Sequence, residues 1–282
     1  MRRLLYICSL PHSGSTALSL FLGTHSRLIG LGGIDRAVSV VAEAIASNDA
    51  TKLPALQCTC GVAATECVFW GEVAKQISTR DFRKRQVRYE LALEVFQRVF
   101  GDDFWPVDSS KHVEPLEDWR GLPDLDLKVI HLIKDVRAAV TSAIDHARRA
   151  KKTRPGPLLV LEHSRRWRRE NRKIDQFLAR TTLPNQRVGY EEICLMPATM
   201  MRVISQFAGV PEEEGSLQLR ASQSHLITGN RMREQAEKQE LRYDHRWLAR
   251  RDWIWAAVFS PEIFRYNSKA VYSNKSDALW TR

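Results

Sequence analysis

The chain has 282 residues, with 43 Lys and Arg against 33 Asp and Glu, a formal charge of +10, and 44% hydrophobic, 27% charged and 9% aromatic residues. That balance is globular and excludes collagen-like, low-complexity and wholly disordered chains. Five cysteines, an odd number, argue against a disulfide-stapled secreted scaffold, and the basic charge points to an anionic partner without naming it.

The N-terminus reaches Pro11 after an apolar run too short for a signal-peptide core, and no stretch approaches the roughly 18 apolar residues of a membrane span. A cytoplasmic protein without a membrane span is expected. Arg3 to Ser9, then P-H-S-G-S-T, then A-L-S-L-F-L predict strand, tight glycine loop and helix. Ala37, Val38, Val41, Ala44 and Ile45 share one face of a helix over 35–48, and Val87, Leu91, Val95, Phe96 and Val99 share one face of a second. F-W-P-V-D predicts a short strand and L-K-V-I-H-L-I, from Leu127 to Ile133, a buried one. His131 inside it is expected to be a structural core residue.

K-D-V-R then opens a helix with Asp135 near its N-terminus, where a carboxylate suits the macrodipole. K-K-T-R-P-G-P around Pro155 is expected to be a surface loop, flanked by the basic runs R-R-A-K-K-T-R and R-R-W-R-R. No nucleic-acid-binding signature accompanies those runs, so they read as a solvated face or an anionic-acceptor rim, and no nucleic acid partner is expected. Q-R-V-G-Y predicts a third strand after the loop, and Pro197 to Gly209 a helix with proline at its first turn. W-L-A-R-R-D-W-I-W-A-A-V-F reads as a core helix, or alternatively as a sugar- or lipid-facing wall. Such alternation implies an α/β fold with a mostly parallel sheet, helices on both faces and ligands beyond the carboxyl ends of the strands.

The loop Pro11 to Thr16 can wrap a phosphate or sulfonate with backbone N–H groups at a helix N-terminus. A nucleotide-kinase P-loop would carry G-x-x-x-x-G-K-[ST], and here the lysine is missing. With the later segments, the loop resembles the 5′-phosphosulfate loop of sulfotransferases that use 3′-phosphoadenosine 5′-phosphosulfate (PAPS), as His12-Ser13-Gly14-Ser15-Thr16. K-D-V-R-A-A-V-T-S resembles the family's R-D-P-R-x-x-x-x-S and implies that Lys134 and Ser142 grip the 3′-phosphate. V-G-Y-E-E-I resembles its Y-E-D-L segment and implies Tyr190 near the adenine. H-L-I-T-G-N-R-M-R resembles the late clamp of the bacterial and carbohydrate-directed branches and implies that Asn230, Arg231 and Arg233 close over phosphates.

V-D-S-S-K-H resembles the branch's D-S-S-K segment and implies that Lys111 approaches the transferred sulfonate, with His112 next to it as general base. Asp35 and Glu43 compete for that role. The sequence departs from the family at His12, Lys134, Val136 and Ala17, which stand where it has a basic residue, arginine, proline and an aromatic beside the adenine. His12, placed in both the binding and the catalytic set, would forfeit a point charge if neutral.

C-T-C-G-V-A-A-T-E-C-V-F-W resembles a cysteine-containing insert of the bacterial branch. Cys58, Cys60 and Cys67 could begin a zinc site, but no fourth ligand lies near them in sequence, so packing beside Phe69 and Trp70 or a disulfide is expected and no metal.

The resemblance implies a P-loop-like three-layer sandwich in one domain over 1–282, with an acceptor-side insert at roughly 35–100. The expected reaction moves a sulfonate from PAPS as cosubstrate to an acceptor hydroxyl on a saccharide, glycolipid or small alcohol. A P-loop kinase and a noncatalytic anion-binding module are the alternatives.

Overall fold

The computed structural model describes the chain apart from residues 48, 78–81, 121, 123, 150–155, 215, 217, 234–239 and 275–282, and the side chains of Arg120 and Arg231. The loop expected around Pro155 lies outside the described residues. Five strands form one sheet: β1 (Arg2–Ser9), β2 (Leu28–Gly32), β3 (Trp105–Lys111), β4 (Leu125–Ile133) and β5 (Asn185–Gly189). Their order is β2-β3-β1-β4-β5 and every pairing is parallel, with Leu5 opposite both Val107 and Lys128. This is the expected α/β three-layer sandwich. Among the described residues no helix is long and apolar enough to cross a membrane.

β1 lies at the centre and is buried on both faces, so its sequence runs apolar without a gap. Alternation still sorts its side chains. Leu4, Tyr6 and Cys8 join a core with α2 (Ile34–Ala46), α3 (Trp70–Ile77), α4 (Arg85–Phe100) and α5 (Glu114–Arg120). Leu5 and Ile7 point the other way, into a core with α1 (Ser15–Leu22), α8 (Tyr190–Leu195) and α9 (Pro197–Ala208). A third core joins α6 (Val136–Arg149), α7 (Pro157–Arg180), α10 (Trp253–Phe259) and α11 (Pro261–Val271).

β2, α7 and the helices α3, α5, α8 and α11 are elements that patterning missed, and the first two show why. β2 reads L-I-G-L-G, and Gly30 is needed because a Cβ there would meet Ser19 Oγ at 2.5 Å and Ser224 Oγ at 2.6 Å. The inward stripe of α7 carries Ser164 and Asn171, which hide its amphipathic period; each donates within the helix, Ser164 Oγ to Val160 O at 2.7 Å and Asn171 Nδ2 to Trp167 O at 2.9 Å. The run R-R-W-R-R lies on this helix, with Trp167 buried and Arg165, Arg166 and Arg169 exposed.

The tryptophan-rich segment is not a core helix. Arg250, in extended conformation, breaks it after a 3-10 turn over Arg246–Ala249, and in α10 only Ala256 is buried while Trp255, Val258 and Phe259 are exposed. His131 is the expected core histidine: it is 1% exposed, and its Nδ1 lies 3.1 Å from Asp175 of α7.

Candidate anion-binding and transfer site

The turns after β1, β2, β3, β4 and β5 all open at the carboxyl edge of the sheet, where chain direction leaves a crevice beside the central strand. In the turn after β1, His12 and Gly14 take φ of 68° and 88°, which wraps the backbone before α1 starts at Ser15. The first N–H groups of that helix, on Ser15, Thr16 and Ala17, have no intrahelical acceptor by position. Ser13, Ser15, Thr16 and Ala17 are all buried. Gly14 admits no side chain, because a Cβ would fall 2.4 Å from Tyr190 Cδ2. Tyr190 thus packs against the loop itself, its hydroxyl donating to Arg242 O at 2.9 Å.

Cations gather around this loop. Lys111 ends β3 with a left-handed φ of 78°, a strained conformation for a residue with a Cβ, opposite a register shift in β1. Its carbonyl accepts from Cys8 Sγ at 3.1 Å, which holds the turn against β1, and burial lowers its ammonium pKa. Lys134 directly follows β4, with Nζ 4.8 Å from the Tyr190 ring centroid and its carbonyl held by Trp167 Nε1 at 3.1 Å. His146 of α6 brings its ring centroid to 5.1 Å from that of His12. Ser142 precedes His146 by four residues, so both lie on the helix face toward the loop. Burial, then the charges of His146, Lys111, Lys134 and Arg149, push His12 below its ordinary 6.5. Both effects favour the neutral imidazole at His12, and Lys111, Lys134 and Arg149 carry the positive charge around it. His146 and Arg149 carried no signal in sequence; an α6 register anchored on Ser142 would have found His146.

Lys134 has a partner in the structure. Asp244 Oδ2 lies 2.7 Å away, and Asp244 also accepts from Arg246 at 2.7 and 2.8 Å. Burial opposes its charge, but Arg246 and Lys134 outweigh that and hold it at about 2.

Beside the loop a cleft of about 340 Å³ is lined by Thr16, Asp35, Lys111, His112, Glu114 and Thr228, among others. It brings Lys111, His112 and Asp35 together as the sequence expects. Asp35 is already engaged by Arg88 at 2.7 and 2.6 Å and by Arg85 at 3.5 Å. Glu43 is not in the cleft; it is exposed on α2 and pairs with Arg36 at 3.2 Å. Glu114, in the first turn of α5, is a cleft carboxylate that the sequence reading missed, having no spacing to mark it. Beneath the cleft, Asp108 is fully buried and accepts from Ile34 N at 3.0 Å and from Ser110 N and Oγ at 2.9 and 2.7 Å. Burial overrides those bonds and pushes its carboxyl up to about 7.

The late segment reaches the loop through its backbone: Asn230 N donates to Thr16 Oγ1 at 3.3 Å, and Asn230 Oδ1 accepts from Met232 N at 3.2 Å. The side chain of Arg231 lies outside the described residues. Arg233 extends away from the loop, NH1 donating to Gln57 O at 2.9 Å. The cysteines are free thiols, and the fourth ligand absent from their sequence neighbourhood is supplied by the fold: His225 joins Cys58, Cys60 and Cys67.

No protein-family model matches the chain, and no curated protein matches it. Solved structures do. A sulfotransferase domain from the Synechococcus PCC 7002 olefin synthase is similar over 92% of this chain and 94% of its own, with a TM-score of 0.60 at 17% identity. A sulfotransferase domain from the curacin biosynthetic pathway is similar over 95% of this chain and 97% of its own, with a TM-score of 0.57 at 17% identity. The chain has a sulfotransferase fold. At this identity the likeness fixes the architecture and the crevice, while the chemistry has to be argued from the chain's own side chains.

Proposed function

We propose that this protein is a PAPS-dependent sulfotransferase acting on an acceptor hydroxyl. The observation that carries the proposal is the convergence of Lys111, Lys134 and Arg149 on one glycine-hinged loop at a helix N-terminus. Such a set is electrostatically incomplete without a polyanion. The residues fit the nucleotide: the loop N–H groups and hydroxyls take the 5′-phosphosulfate, while Lys134 and Ser142 take the 3′-phosphate once the anion displaces Asp244 from Lys134. Asn230, from the late segment, backs Thr16.

In the transfer, the acceptor oxygen forms a bond to sulfur as the bond from sulfur to the bridging phosphate oxygen breaks. The hydroxyl proton goes to a base, and adenosine 3′,5′-bisphosphate leaves. Lys111 stabilises the charge that grows on the sulfonate and bridging oxygens, a role that His12 cannot share while neutral. His112 is the base, with Glu114 as its carboxylate alternative, since Asp35 is held by two arginines. A cleft of about 340 Å³ is at the small end of ligand pockets and suits a single ring or the end of a longer chain, in keeping with a saccharide, glycolipid or small alcohol.

Calorimetric titration with adenosine 3′,5′-bisphosphate, AMP, and ATP plus magnesium tests the reading. Preference for the bisphosphate that is lost in Ser142→Ala is expected, followed by an acceptor screen with PAPS. Preference for ATP and magnesium would replace it with a phosphotransferase. Equal binding of all three, without turnover, would leave only a general anion site.

A further inference from the structure

Cys58, Cys60 and Cys67 lie on the loop ahead of α3, more than 150 residues from His225, yet the four ligand atoms all fall within 4.8 Å of one another. The His225 Nδ1 is 3.2 Å from Cys67 Sγ and 3.8 Å from Cys58 Sγ. We infer that these residues form a Cys3His zinc site that fastens the cysteine loop to the segment leading into the nucleotide crevice.

Three thiols and an imidazole, with no carboxylate, are a soft tetrahedral donor set of the kind that selects zinc over magnesium or calcium. A zinc ion with Zn–S bonds of about 2.3 Å sets its ligand atoms ~3.7 Å apart, so closure around the ion requires contractions of about 1 Å at most. Each cysteine releases its proton to solvent as its sulfur bonds the metal, and no redox partner is required. All four protein ligands fill the tetrahedron, which is the form of a structural rather than a catalytic site.

The surroundings are built around this arrangement. Gly61, at φ 93°, lets the chain turn back so that Gly61 N donates to Cys58 O at 3.0 Å and Cys58 N to Val62 O at 2.9 Å. Between the first two cysteines, Thr59 laces the loop to the histidine segment: its hydroxyl donates to Ser224 O at 2.6 Å and accepts from Leu226 N at 2.9 Å. His225 itself is fixed through its backbone, N–H to Gly30 O at 2.7 Å and carbonyl from Trp70 Nε1 at 2.7 Å, with its ring beside Phe100 at 5.5 Å. Cys58, Cys67 and His225 are buried, and Cys60 is at the surface, where an ion can enter. Three residues beyond His225, Thr228 lines the cleft, and two further on Asn230 contacts Thr16. The site thus fixes the root of the segment that reaches the phosphate loop.

The test is metal analysis of the full-length protein purified under reducing conditions, with cobalt titration of the metal-free form. About one zinc per chain is expected, and cobalt should give the intense visible bands of a tetrahedral ion together with thiolate charge transfer. Cys67→Ser and His225→Ala should each weaken zinc at least tenfold, while His225→Cys, which restores a fourth thiolate, keeps the stoichiometry even if the other variants fold poorly. Chelation should lower the Tm of the wild type and leave that of Cys67→Ser unmoved. No metal uptake by the wild type, octahedral cobalt spectra, stoichiometry unchanged in Cys67→Ser and His225→Ala, or a Cys58–Cys67 disulfide in non-reducing mass spectrometry of freshly purified protein would each overturn the assignment.

Discussion

The two walls of the crevice differ in how their charges are balanced. Around His12, the cations Lys111 and Arg149 make no ion pair among the described residues, and Lys134 has one, with Asp244. Around Asp35, by contrast, Arg85 and Arg88 close on the carboxylate, and Arg85 also pairs with Asp118 at 3.0 Å. The first wall keeps a surplus of positive charge beyond the Lys134–Asp244 pair and is suited to a polyanion. The second is neutralised internally and is suited to a neutral acceptor. Lys111 stands at the junction, lining the cleft with Asp35 and acting on His12.

The comparison is broken most severely at that junction. Lys111→Ala is expected to lower kcat a hundredfold or more with bisphosphate affinity nearly retained, read by single-turnover transfer from labelled PAPS beside calorimetry. If affinity falls as far as kcat, Lys111 belongs to the binding wall alone. Ser142→Ala removes one hydrogen bond to a charged group and should weaken the bisphosphate about tenfold, with AMP binding unchanged. A smaller and opposite effect is expected from Asp244→Asn, which releases Lys134: calorimetry should show the bisphosphate binding a few-fold tighter, and weaker binding would mean that Asp244 positions Lys134 rather than competing for it.

The smallest effect concerns pH. Asp108, beneath the second wall, has its folded pKa raised from 3.8 to about 7, so its contribution to stability is complete below the unfolded value and is lost as pH rises toward 7. Glu191, beneath the first wall, is raised from 4.5 to about 7 and acts in the same direction. Tm should therefore fall between about pH 4 and 8, and Asp108→Asn should flatten part of that slope while keeping the acceptor for Ile34 N and Ser110. An unchanged slope would leave Glu191 as its source.

The short apolar strands and the loops that follow them were legible because they are local: L-L-Y-I-C before P-H-S-G-S-T, and L-K-V-I-H-L-I before K-D-V-R, state strand, turn and helix within about 20 residues. Lys111, His112, Lys134 and Ser142 were singled out by the resemblance of the segments that hold them, at or after the ends of β3 and β4. Composition also fixed the surplus of positive charge. Pairing across long separations had no local trace. Asp244 meets Lys134 across 110 residues, and His225 meets Cys67 across 158. α7 was hidden because two of its inward positions are polar and find their partners inside the helix. The sequence by itself determined the βα units and which charged and hydroxyl side chains stand at their ends, since both depend on neighbours within a turn or two. Only the tertiary structure decided which charges are neutralised, which histidine is pushed toward its neutral form and which thiols gather beside a histidine, because those follow from burial and from distances between segments far apart in the chain.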